Sequence, residues 1–145
     1  MLVDALPPGA TGLGADFAVP VRLEGALLPR GLSPSRVGEF ELFWRVTGKV
    51  PRSVGVFVHL EGPGGRRIHA DHEVIGASVF FANAPRDRLL RDAFGIDLSI
   101  APPGEWRVYV GLWHASGDHQ RIPAHVPGEL GPHEDRVAVG SFEVR

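Results

Sequence analysis

The sequence predicts an all-β chain, an antiparallel two-sheet β-sandwich of about seven or eight strands. Two observations carry this. The segment Glu105-Trp106-Arg107-Val108-Tyr109-Val110-Gly111-Leu112-Trp113-His114 alternates apolar and polar residues, and weaker versions recur at Phe40 to Val46 and at Val54 to Leu60. Period-two alternation is the pattern of a strand with one face on a core. Pro/Gly-rich breaks separate these runs at intervals of roughly 8–15 residues, too short for the crossover helices of a parallel sheet.

The elements follow in chain order. Residues 1–15 hold Pro7, Pro8 and several glycines with little pattern and read as a lead-in or linker, leaving 16–145 as the sandwich domain. Phe17, Val19, Val21 and Leu23 alternate and predict a first strand, with Pro20 favouring an edge or a bulge. Leu27 to Arg36 is a loop. Phe40, Leu42, Trp44 and Val46 share the inward parity of the next strand, and Thr47 to Arg52 turns the chain. Val54, Val56, Val58 and Leu60 form the following inward row. Gly62-Pro63-Gly64-Gly65 is a turn, because glycine supplies positive φ without steric penalty. Arg66 to Glu73 can then return as the partner strand of a hairpin. Between Ala77 and Asp92 two readings stay open: one or two helical turns from Pro85, or a surface loop leading into a strand. Phe94, Ile96, Leu98 and Ile100 make an inward row, and Pro102-Pro103-Gly104 links it to the strand from Trp106. Asp118 to Asp135 is a long polar loop, and Arg136 to Val144 closes the domain.

Composition removes several functions. The chain of 145 residues has no cysteine, which excludes disulfides, thiolate metal sites and cysteine nucleophiles. Its 15 basic and 17 acidic residues are scattered, with no basic run longer than Arg66-Arg67. Nucleic-acid binding needs many phosphate contacts on one face, so it is not expected. There is no signal peptide and no apolar run of the roughly 18 residues that a spanning helix takes. A full-length protein would then be cytoplasmic, and a fragment of a membrane protein extracytoplasmic.

Further order is visible in the patches Phe40-Glu41-Leu42-Phe43-Trp44, Val56-Phe57-Val58-His59-Leu60 and Gly62-Pro63-Gly64-Gly65-Arg66. Asp71-His72, Asp92-Ala93-Phe94, Pro102 through Leu112 and Arg136-Val137-Ala138-Val139-Gly140 continue it. In this order, over about residues 17–144, they resemble the Ig-like β-sandwich domain at the soluble C-terminal end of bacterial membrane proteins of the glycosyltransferase type. The chain departs from that group at Trp113, where a Tyr is usual, and in having no membrane region. The resemblance implies an Ig-like fold and an accessory, glycan-facing role, and it carries over no catalytic residue.

Three constellations remain. His69-Ala70-Asp71-His72-Glu73 is the densest set of metal-ligand types. On a strand His69 and Asp71 share a face, and His59 on the partner strand could add a third ligand; the plainer reading is a solvated strand end, so no metal or cofactor is expected. Catalysis has no G-x-S-x-G elbow, no phosphate-cradling loop and no facing carboxylate pair. Lastly, Phe43, Phe57, Tyr109 and Trp113 take the parity opposite to the core rows, with Arg45, Arg107 and His59 among them. Such a row can stack on sugar rings, serve as an interface with another protein or a second copy of the chain, or be roofed over as a further core. The expectation is a non-catalytic binding module using Phe43, Phe57, Tyr109, Trp113 and Arg107, with His59, His69 and Asp71 as the metal alternative.

Overall fold

The alternating segments fold into two antiparallel sheets packed face to face around one apolar core. The computed structural model describes residues 2–30, 36–51, 54–70, 81–114, 120–125 and 135–145. In order the strands are β1 (Leu2–Val3), β2 (Thr11–Phe17), β3 (Val21–Leu27), β4 (Val37–Val46), β5 (Val54–Glu61), β6 (Arg67–His69), β7 (Leu89–Asp97), β8 (Gly104–His114), β9 (Arg121–Ile122), β10 (Ala124–His125) and β11 (Val137–Val144). The helical pieces among the described residues are two 3-10 turns, Pro63–Gly65 and Phe81–Asn83. No helix there is long and apolar enough to cross a membrane.

One sheet runs β1-β7-β4-β3-β2-β10, and the other β11-β8-β5-β6 with β9 also on β8. The inward rows are those the alternation predicts. Phe40, Leu42, Trp44 and Val46 of β4 face Val54, Val56, Val58 and Leu60 of β5 and Trp106, Val108, Val110 and Leu112 of β8 within one buried cluster. Burying each such side chain stabilises the fold by about 1.5–3 kcal/mol before entropy is counted. Phe40 of β4 meets Phe142 of β11 edge to face at 5.5 Å, joining the sheets at one end. Arg121–Ile122 pairs with β8 and Ala124–His125 with β2, so this short segment passes from one sheet to the other.

Several elements differ from the sequence reading. Residues 2–3 and 11–15, read as lead-in, are strand: β2 pairs with β3 through a bulge between Gly12 and Ala15. Gly12 and Gly14 carry no side chain, so β2 shows no apolar period. The expected single strand from Phe17 to Leu23 is broken at residues 18–20, which turn the chain from the end of β2 at Phe17 into β3 at Val21, where the Val21 N–H donates to the Val19 carbonyl at 2.7 Å. Of the two readings left open from Pro85, the structure shows the loop leading into a strand, since Leu89 onward pairs along β4. Ile100 is 82 % exposed and not inward. β7 stops at Asp97, whose carboxylate accepts the Ser99 N–H at 2.9 Å and turns the chain out of the sheet. Ile122, within the expected polar loop, is buried in the core. The stretch 71–80 lies outside the described residues.

Candidate functional site

The outer face of the β11-β8-β5-β6 sheet gathers most of the candidate residues. Because Val54, Val56, Val58 and Leu60 point inward, Gly55, Phe57, His59 and Glu61 of β5 point outward. Register then pairs Gly55 with Trp113, Phe57 with Gly111, His59 with Tyr109 and Glu61 with Arg107. On the other side β6 sets His69 against His59 and Arg67 against Glu61. The face is therefore graded, aromatic toward His114 and charged toward the β5–β6 hairpin.

The aromatic half is closed. Phe57 is 4 % and Tyr109 7 % exposed. Phe57 and Trp113 each lie over a gap left by a glycine: a Cβ on Gly111 would stand 2.1 Å from the Phe57 ring, and one on Gly55 2.7 Å from Trp113 Nε1. Guanidinium groups lie against the rings, Arg136 at 4.0 Å from the Tyr109 centroid and Arg121 at 4.8 Å from that of Phe57. His59 is buried between Phe57, at 4.8 Å, and His69, at 4.2 Å. Trp113 is half-buried at the end of the row.

Phe43 does not join this row. It stands on β4, on the outer face of the other sheet, and is 1 % exposed. Ion pairs border it, Arg45 with Glu24 at 2.8 Å and Arg91 with Glu41. The segment between β1 and β2 also crosses that face, since β1 lies beside β7 and β2 beyond β3. Its Leu6 sits where a Cβ on Gly25, the partner of Phe43, would approach to 3.0 Å.

Asp71, expected to share a face with His69 as a metal ligand, lies outside the described residues. Among those described, no group of three or more His, Asp or Glu side chains is placed to hold an ion. No protein-family model matches this chain, and no curated protein is significantly similar to it. The chemistry of the site rests on its own geometry.

The charged half is open. Glu61, Gly62, Pro63, Gly65, Arg67, Glu105 and Arg107 line a groove of about 380 Å³. Its end wall is held rigidly. Gly62 lies on the Trp106 ring, where a Cβ would come within 2.4 Å, and Trp106 Nε1–H donates to the Pro102 carbonyl at 3.0 Å. Gly64 and Gly65 take positive φ, 69° and 75°, to close the turn. Arg136 Nη1 donates to Glu61 Oε2 at 2.9 Å, and Arg67 Nε approaches the same oxygen at 3.4 Å. The Arg136 hydrogen bond, above all, holds the Glu61 carboxyl below its ordinary pKa, against the opposing effect of burial. Arg107 and Glu105, two apart on β8, approach only to 3.7 Å.

Sequence reasoning reached Arg107 but passed over Glu61, Arg67, Glu105 and Arg136 as binding groups. Glu61 and Arg67 were within reach, since the Gly62–Gly65 turn sets the β5–β6 register that places them opposite each other. Arg136 was not, because nothing local ties it to Glu61, 75 residues away.

Proposed function

We propose that this domain is a non-catalytic binding module whose ligand-binding surface is the groove at the hairpin end of the β11-β8-β5-β6 sheet, and that the ligand is a glycan. The observation that carries this is the convergence of Arg67, Arg107, Glu61 and Glu105 on one concave surface built on strands. Neighbouring hydroxyls of a sugar donate to carboxylate oxygens and accept from guanidinium N–H groups, so a mixed Arg/Glu groove suits them. Its volume falls in the range of about 300–1,000 Å³ common for small-ligand sites. The resemblance to soluble domains of glycosyltransferase-type membrane proteins points the same way. Stacking by the aromatic row is not the mode of binding here, because Phe57 and Tyr109 are already covered. Glu61 is ill suited to be a glycosidase's general acid, whose pKa is raised, because that of Glu61 is lowered.

A panel of oligosaccharides titrated by calorimetry tests this. At least one is expected to bind with a Kd of roughly micromolar to millimolar size. Arg107→Ala should weaken that binding without lowering the melting temperature, since the side chain is mostly exposed. A panel without a single binder would sink the proposal.

A further inference from the structure

We infer that the ligand of this groove carries a negative charge, a carboxylate or phosphate on the sugar, seated between Arg67 and Arg107. This rests on the groove being the binding surface and adds the class of ligand it selects.

The argument is one of charge and access. Three guanidinium groups, of Arg67, Arg107 and Arg136, meet two carboxylates, of Glu61 and Glu105. Glu61 is committed to Arg136, whose side chain is only 12 % exposed and also packs on the Tyr109 ring. That ion pair leaves Glu61 with little net charge to present to the groove. Arg67 reaches Glu61 second, at 3.4 Å and from the solvent side, with 63 % of its side chain exposed. Arg107 has only the loose contact with Glu105, both side chains being more than half exposed. Exposed pairs of this kind hold each other weakly. The groove thus presents two solvent-exposed guanidinium groups on either side of a neutralised Glu61, with Glu105 and its β11 neighbour Glu143 at one end.

Placement strengthens the point. Arg67, Glu61 and Arg107 are direct register partners on β6, β5 and β8. The two arginines thus flank a neutralised centre with backbones about 10 Å apart, two strand spacings. Long side chains leaning in from both sides can each give a forked pair of N–H donors to one anion, the geometry in which arginine binds carboxylate and phosphate best. A neutral sugar offers neither arginine such a two-oxygen anionic acceptor.

The test compares oligosaccharides of equal length, one neutral, one bearing a uronic acid and one bearing a phosphate monoester, with inorganic phosphate as a control. Each is titrated into the wild-type protein, Arg67→Gln and Arg107→Gln. At least one acidic sugar should bind about tenfold or more tighter than the neutral one. Either substitution should remove most of that difference, weakening the acidic sugar far more than the neutral one, and added salt should weaken the acidic ligand selectively. Whichever acid binds identifies the group. Inorganic phosphate binding as well as the sugar phosphate would place all the recognition in the anion and overturn the sugar portion. Equal affinity of the wild-type protein for neutral and acidic sugars would overturn the charge inference and leave the glycan reading standing. Binding of none of the sugars would overturn both.

Discussion

Glu61 shows how a single residue on this face couples structure to conditions. Its carboxyl titrates below the ordinary value of 4.5 in the folded protein because Arg136 donates to it. A depressed folded pKa means the pair stabilises the fold above about 4.5 and that this contribution disappears as pH falls through the folded value. Glu61→Gln should therefore be less stable than wild type in urea at neutral pH, with the gap closing under acid. A gap that stays constant down to well below 4.5 would contradict the assignment. At this scale the sequence was only half legible. Parity told which side chains of β4, β5 and β8 face the core. It did not reveal Asp92, which shares the inward side of β7 and is buried, its carboxylate accepting the Trp44 Nε1–H at 3.3 Å. A buried carboxylate makes sense only once the indole beside it is known.

Among the elements, the β5–β6 hairpin is the one on which the proposed site depends. Its turn is closed by glycines and pinned to Trp106 at Gly62. Trp106 is fully buried and cannot step aside, so Gly62→Ala should destabilise the domain by about 1–3 kcal/mol, the usual range for forcing atoms into a packed core. Gly12→Ala on β2 is the control. A Cβ there meets nothing within 4 Å, so its urea midpoint should stay near that of wild type. Equal losses in the two variants would show that the Trp106 contact is not what holds the turn. The elements missed from sequence failed to show for physical reasons. β2 is rich in glycine, which leaves a strand no apolar row to display. β9 and β10 are two residues each, too short to have a period, and exist because β8 and β2 offer them unpaired backbone.

For the molecule as a whole, the outer faces are unequal. From Val54 to Leu60 every residue of β5 is buried, and so is Val108 to Leu112 of β8. These two strands are covered on both faces, whereas β1 and β6 are short strands at sheet edges. Amide hydrogen exchange should follow this order, slowest in β5 and β8 and fastest in β1 and β6. Fast exchange in the middle of β5 would mean that the aromatic half of its outer face is not closed in solution.

The amino-acid sequence alone determined the sandwich class and the inward rows. Alternation is a local property: a strand turns successive side chains to opposite sides whatever it later pairs with. It also placed the Gly62–Gly65 turn, since glycine's freedom is local too. What became of the outward residues was decided only in three dimensions. Strand order put Phe43 on one sheet and Phe57, Tyr109 and Trp113 on the other. Arg121 and Arg136, from distant parts of the chain, came to lie against Phe57 and Tyr109, while Arg67 and Arg107 were left open to solvent. No neighbour in sequence encodes such a meeting, because it depends on which strands lie side by side.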